Sequence, residues 1–272
     1  MTEKIILITG ASSGIGKTCA DYLSKKGYIV YGTSRKASFP PTQSENGTPL
    51  LIQMDIRDET SIKKAVDHII KQHKKIDVVI NNAGYGIAGP VEETTIKQAQ
   101  EQLETNFFGA VRVSKMVLPL MRKQKDGLII NVSSIGGVMG LPYQGFYSAS
   151  KYALEGLSEA LRMEVKGLGI KVTLLEPGDI KTSFTDMREK HKGIKNSVYS
   201  KSFQQVMEVV EKEERNGVPP LVVAKKLEKI INTNKPRQRY RVGAFSQKFA
   251  ASIKGTLPDG LIEWILLKFY NV

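Results

Sequence analysis

Lys4-Ile-Ile-Leu-Ile-Thr-Gly-Ala-Ser-Ser-Gly-Ile-Gly-Lys-Thr-Cys-Ala-Asp-Tyr-Leu23 is the stretch on which the fold turns. Residues 4–9 form a compact β-branched run that breaks at Gly10, and the residues from Gly14 read as a helix ending at Gly27. The order is strand, glycine turn, helix. Gly10, Gly14 and Gly16 let the backbone turn tightly and approach a pyrophosphate, which would sit on the free N–H groups and positive dipole of the helix start, with Ser12, Ser13 and Ile15 beside it. The same letters hold a second pattern, because Gly10-Ala-Ser-Ser-Gly14 matches the G-x-S-x-G elbow of hydrolases, which demands the same strand, turn and helix. Histidines separate the two readings. An elbow hydrolase needs a histidine late in the chain, after its acid, whereas the three present are His68, His73 and His191. Their spacing suits no zinc site either, so no metal is expected.

Outward from this unit, strand-like runs follow at residues 28–33, 50–54, 76–81, 128–132 and 170–176. Amphipathic stretches lie between them at 58–72, with Asp58 as N-cap, at 96–122, and at 147–166, closed by Gly167 and Gly169. This alternation predicts parallel βαβ units with right-handed crossovers: an α/β fold with a doubly wound (Rossmann) parallel sheet and helices on both faces. Residues 36–49, with three prolines, read as a loop. After Pro177 the alternation weakens, and a lid is expected over about 178–218, its polar part running to Ser200. Helices are expected at 202–215 and 219–231 and a last strand at 239–242. The domain is therefore drawn over residues 1–243, with 244–272 as a helical extension.

The end of the second strand reports on the dinucleotide. A carboxylate there would bind the ribose 2′-OH of NAD, while an arginine accommodates the 2′-phosphate of NADP. The residues are Thr33-Ser34-Arg35-Lys36, with no acid before Glu45, so NADP(H) is expected, with Ser34 and Arg35 at the phosphate.

Composition agrees with one substantial core: 272 residues, 41% hydrophobic and 25% charged. The lone Cys19 forbids an internal disulfide framework and suits a reducing compartment. The N-terminus lacks a secretory pattern and no run approaches the roughly 20 apolar residues of a membrane span, so a cytoplasmic protein is expected. A net charge of +13 fits an anionic ligand, an acidic membrane or nucleic acid, but dispersed lysines fit ordinary solubility better, and no nucleic-acid partner is expected.

Tyr147 and Lys151 stand four apart, about one helical turn, on one face. A phenol near pKa ~10 becomes a usable proton donor when an ammonium beside it favours the phenolate. Taken alone, a tyrosine and a lysine so placed are more often two surface residues of a helix.

Together, Thr9-Gly-x-x-x-Gly-Ile-Gly16, Asn81-Asn-Ala-Gly84, Asn106, Ser134, Tyr147-x-x-x-Lys151 and Pro177-Gly178 resemble, in order and approximate spacing, the short-chain dehydrogenase/reductase family over residues 4–182. The resemblance implies hydride transfer between NADP(H) and a carbonyl or secondary alcohol. It implies Tyr147 as proton donor and acceptor, Lys151 as the charge that lowers its pKa and holds the nicotinamide ribose, Ser134 as the substrate-orienting serine, and Asn106 as a helix-kinking residue that completes a proton relay through water. It also implies Asp55 and Ile56 at the adenine, Asn82, Ala83 and Gly84 along the adenine ribose side, and Pro177, Gly178, Ile180 and Thr182 around the nicotinamide carboxamide. A homo-oligomer, dimer or tetramer, is usual in the family. The alternative is a non-catalytic NADP(H)-binding sensor or scaffold, against which the intact set Asn106, Ser134, Tyr147 and Lys151 argues.

Substrate choice is expected in residues 135–146, 85–91 and the lid, where Ile135, Val138, Met139, Leu141, Tyr143, Phe146, Phe184 and Met187 point to a lipophilic carbonyl or alcohol, the equal alternative being that they are core contacts of a loop. The turn Tyr31-Gly-Thr-Ser-Arg35 and the long C-terminus look similar to the hydroxysteroid- and retinol-dehydrogenase-like branch. Residues 235–254 carry six basic residues without an acid, followed by the apolar 264–270. Packing of this tail on its own domain or a neighbouring subunit is the favoured expectation, and contact with a membrane surface the other.

Overall fold

The computed structural model describes residues 4–41 and 47–272, so the loop expected at 36–49 lies partly outside the described residues. Strands β1 (Ile5–Ile8), β2 (Ile29–Ser34), β3 (Leu50–Gln53) and β4 (Val78–Asn81) alternate with helices α1 (Gly14–Lys25) and α2 (Glu59–His73). The short β5 (Ile87–Ala88) precedes α3 (Ile96–Leu103) and α4 (Gly109–Gln124); β6 (Gly127–Val132), α5 (Gly145–Glu164) and β7 (Ile170–Pro177) complete the predicted alternation. Then come α6 (Phe184–Met187), β8 (Glu189–Lys190), α7 (Ser200–Arg215), α8 (Pro220–Ile231), β9 (Arg239–Val242), α9 (Phe245–Ile253) and α10 (Asp259–Tyr270).

The main sheet has the order β3-β2-β1-β4-β6-β7-β9, and every pairing in it is parallel. Buried on both faces, β1 is a continuous apolar run and β4 is apolar up to Asn81. Alternate residues face opposite layers. Ile6, Ile8, Val30 and Ile80 meet Ala20 and Leu23 of α1 and Val223, Leu227 and Ile230 of α8. Ile5, Leu7, Val79 and Ile129 meet Ile62, Val66 and Ile69 of α2 and Val113, Val117 and Met121 of α4. Asp58 caps α2 as expected, its side chain accepting from Thr60 N at 2.8 Å. The long helix expected at 96–122 is interrupted: residues Glu104–Phe108 form a π-helical turn centred on Asn106, flanked by α3 and α4.

The segment after Gly178 is anchored at several points. Its β8 pairs parallel with β5, and Arg188, with its side chain 1% exposed, forms an ion pair with Glu214 of α7. Among the six basic residues of 235–254, Arg239 and Arg241 turn inward. Arg239 Nε lies 3.1 Å from both Glu155 Oε2 and Glu176 Oε1, and its guanidinium also meets Glu159. Arg241 Nε lies 2.7 Å from Glu176 Oε2, and Glu176 is wholly buried.

Candidate active site

The carboxyl ends of β1, β2, β3, β4, β6 and β7 open into one cavity of about 1370 Å³. Its position follows from the sheet order, which reverses direction between β1 and β4 and leaves a crevice there. At its floor the turn after β1 takes left-handed backbone at Gly10 (φ +67°) and Gly14 (φ +54°). A Cβ on Gly16 would collide with the Gly10 carbonyl oxygen and sit 2.5 Å from Asn82 Nδ2. The segment after β4 clamps this turn: Thr9 Oγ1 accepts from Asn82 N and Ala83 N, both at 2.9 Å, and Asn82 Nδ2 donates to Thr9 O at 2.9 Å and Gly10 O at 3.1 Å.

Every residue expected at the cofactor lines this cavity: Gly10, Ser12, Ser13, Gly14, Ile15, Gly16, Ser34, Arg35, Asp55, Ile56, Asn82, Ala83, Gly84, Tyr147, Lys151, Pro177, Gly178, Ile180 and Thr182. Arg57 joins Arg35 and Lys36 at the β2–β3 end, a third cation that the second-strand rule did not reach. Asp55 is already engaged there, with Arg57 Nη2 at 3.0 Å from its Oδ2, and the Arg57 hydrogen bond holds its carboxyl below the ordinary value.

Tyr147 and Lys151 emerge from the first turns of α5 into the same cavity as Ser134 at the end of β6. Lys151 is 5% exposed; its Nζ donates to Val132 O at 2.9 Å and lies 6.0 Å from the centre of the Tyr147 ring. Ser134 and Tyr147 converge over Gly136, where a Cβ would stand 3.5 Å from Ser134 Oγ and 3.2 Å from Tyr147 Cε1. Burial lowers the Lys151 ammonium to about 8, opposed by the Glu155 carboxylate one turn further along α5. The same burial pushes Tyr147 above its ordinary value, against the Ser134 hydrogen bond and the Arg188 guanidinium, which pull it down. Here desolvation of the pocket outweighs the charges around it.

Asn106 stands behind the cavity wall. It is 1% exposed, its Oδ1 accepts from Tyr85 N at 3.0 Å, and its Nδ2 donates to Tyr85 O at 2.9 Å and Ser150 Oγ at 3.1 Å. Through these bonds it fixes the loop after β4 against α5.

Beyond Ser134 and Tyr147 the expected Ile135, Met139, Leu141, Phe184 and Met187 line the cavity, together with the charged Arg188, Glu189, Glu213 and Glu214. Val138, Tyr143 and Phe146 lie outside it. Tyr143 turns toward α7, 5.4 Å from the Phe203 ring and bonded to Ser202 Oγ at 2.5 Å, and Val138 packs against the cluster of Ile135, Met139 and Ala251. The sequence reading missed the far wall, built by Ala250 and Ile253 of α9, Leu257, and Ile262, Ile265, Leu266 and Phe269 of α10. It also missed Asp179, whose carboxyl burial raises to about 6, with Glu214 adding to the rise and Gln247 opposing it.

Residues 4–193 match the short chain dehydrogenase family. The chain belongs to that family. It is 48% identical over 274 residues, 100% of each chain, to a 3-ketodihydrosphingosine reductase of Bacteroides thetaiotaomicron. An NADPH-dependent 3-dehydrocapnine reductase of Ornithobacterium rhinotracheale is 34% identical over 96% of this chain and 95% of its own. Among solved structures, a short-chain dehydrogenase from Streptomyces avermitilis superposes with a TM-score of 0.81 at 28% identity, covering 98% of this chain and 97% of that one. ElxO with NADP bound gives 0.69 at 28% identity over 88% and 98% of the two chains. As a short-chain dehydrogenase the protein is an oxidoreductase that moves a hydride between a nicotinamide and a carbonyl or alcohol.

Proposed function

We propose that the protein is an NADPH-dependent reductase of a long-chain 3-keto amino alcohol of the 3-ketodihydrosphingosine class. One observation carries the reading: a single cavity is lined by the glycine turn, the Ser134–Tyr147–Lys151 group and apolar side chains of α9 and α10. Its volume of about 1370 Å³ exceeds the roughly 300–1,000 Å³ of ordinary ligand pockets. That leaves room for a dinucleotide and an alkyl chain together. The 48% identical relative and the 34% identical one, both named as reductases, support it, and the name of the second and the NADP bound to ElxO support the cofactor.

Residues of this chain fit that cofactor. Gly10, Gly14 and Gly16 leave the turn open, the N–H groups at the start of α1 face the cavity end, and Arg35, Lys36 and Arg57 supply the charge for a 2′-phosphate. When bound, NADPH supplies the hydride to the carbonyl carbon. Tyr147 gives its proton to the carbonyl oxygen, Ser134 donates a hydrogen bond to the charge developing on that oxygen, and Lys151 keeps a positive charge beside the resulting phenolate. Asn106 positions the loop that closes this side. Residues 244–272 act as a substrate-cavity wall more than as a separate appendix.

Purified protein should consume NADPH with 3-ketodihydrosphingosine at a kcat/KM at least about tenfold above that with a short-chain 2-amino-3-ketone, and above that with NADH. The ratio reflects burial of only a few methylenes, at about 0.8 kcal/mol each. Equal turnover of the two ketones, or preference for NADH, refutes the proposal.

A further inference from the structure

Helix α10 has apolar residues all round, a pattern that belongs to a helix covered on every side. Here one side is covered and the other is open. Ile262, Leu266 and Tyr270, spaced i, i+4 and i+8, face the cavity, whereas Leu261 and Trp264 are 42% and 57% exposed. Ile265 and Phe269 do both: they line the cavity and are still 42% and 48% exposed, so the cavity wall reaches the surface through apolar side chains. Leu261, Trp264, Ile265 and Lys268 fall on one outward stripe (i, i+3, i+4, i+7), and the Lys268 ammonium sits 4.9 Å over the Trp264 ring. On α9, Phe245 and Phe249 stack at 6.1 Å, 78% and 54% exposed, with Lys248 between them in sequence.

We propose that the outward face of α10 docks on an anionic lipid surface and takes the substrate's alkyl chain from it into the cavity. This rests on the lipophilic substrate argued above. Two features select a lipid surface over a second copy of this chain. A subunit seated on Ile265 and Phe269 would seal the apolar way into the cavity, while a fluid bilayer leaves it open to exchange. The charge is also complementary: a chain of net charge +13 that carries Lys268 within the stripe is attracted to anionic head groups and repelled by its own copy. Trp264 is placed as an interfacial tryptophan is, ring outward beside a cation.

Trp264 is the one tryptophan of the sequence, so its fluorescence reports on this helix directly. The full-length protein is mixed with vesicles of phosphatidylcholine alone or with phosphatidylglycerol, and emission and flotation are followed together. A blue shift and flotation with the anionic vesicles are expected, both reversed by salt. Lys268→Glu should weaken binding about fivefold or more, and Leu261→Ser about tenfold. Both variants should keep wild-type turnover of a water-soluble short-chain ketone. An unshifted Trp264 with no flotation overturns the proposal, as does flotation unchanged by both substitutions. So does light scattering that shows a dimer dissociated by Leu261→Ser, with Trp264 shielded from quencher before any vesicle is added. Vesicle binding without turnover of the long-chain ketone overturns the substrate reading instead, and turnover without vesicle binding overturns the docking.

Discussion

Replacing Lys151 by methionine removes the charge and keeps the length of the side chain. The ammonium stands 6.0 Å from the Tyr147 ring centre, a distance at which opposite charges attract by roughly 3 kcal/mol at an effective dielectric of about 20. Proton donation leaves a phenolate on Tyr147, so that attraction is present in the transition state and absent from the neutral ground state. Its loss should slow turnover about 100-fold. The variant should also lose affinity for NADPH, since Lys151 lines the part of the cavity assigned to the ribose. Stability should move the other way. Burial lowers the lysine from 10.5 to about 8 in the folded protein, so the native state binds its proton more weakly than the unfolded chain does. The destabilisation is complete below about pH 8, fades as pH rises from there to about 10.5, and amounts to about 3 kcal/mol. About 1 kcal/mol returns with the lost Val132 hydrogen bond. At pH 7 the methionine variant should therefore unfold at equal or higher urea, and its advantage should shrink toward pH 10. Steady-state rates and urea melts at the two pH values measure both effects. Turnover within about fivefold of wild type, in a folded variant, refutes the electrostatic role.

Three further substitutions bear on the same site. Tyr147→Phe should bind NADPH as the parent does in a fluorescence titration and lose about 10²–10⁴-fold in kcat, the range for a general acid; retained kcat would move proton donation elsewhere. Arg35→Glu should raise KM for NADPH roughly tenfold or more and leave KM for NADH nearly unchanged, because only the first carries a 2′-phosphate to meet the guanidinium. Glu155→Gln removes the carboxylate that holds the Lys151 ammonium up, so the alkaline limb of the kcat profile should shift to lower pH, and an unmoved limb would show that the two groups are uncoupled in the working enzyme.

Local chemistry made the sheet and the cofactor half of the site legible. A glycine turn between a β-branched run and a helix, or a tyrosine one helical turn before a lysine, states its geometry within a few residues, and these positions line one cavity together with Asp55, Ile56, Asn82, Ala83, Gly84, Pro177, Gly178, Ile180 and Thr182, which only the family resemblance supplied. Substrate-side positions read from adjacency fared differently. Phe146 precedes Tyr147 by one residue, but neighbours on a helix point about 100° apart, and Phe146 misses the cavity that Tyr147 enters. Tyr143 adopts left-handed backbone at φ +56°, which turns its ring toward α7. No pattern in the sequence announces either turn. The far wall was hidden for another reason: α9 has small residues and no side-chain N-cap, and which faces of α10 are covered depends on where the chain returns after β9.

The acid-free basic segment at 235–254 is the clearest case of a sequence property inverted by the fold. Read linearly, it is a positive surface. Folded, Arg239 and Arg241 lie beside carboxylates contributed 63 to 84 positions earlier, and the arrangement runs straight to the active lysine. Burial lowers the Lys151 ammonium to about 8, and the Glu155 carboxylate one turn away opposes that fall. Burial pushes Glu155 toward its neutral form, and the Ser133 hydroxyl and the Arg239 guanidinium pull it back. Arg239 in turn lies between Glu155 and the wholly buried Glu176, which Arg241 also reaches. Removing either arginine would leave a buried carboxylate short of its cation, whereas Glu155 keeps Arg239 when Lys151 is replaced. The last strand is therefore part of the electrostatics of Lys151, and the two arginines are unavailable for the anionic surface that Lys268 is placed to meet.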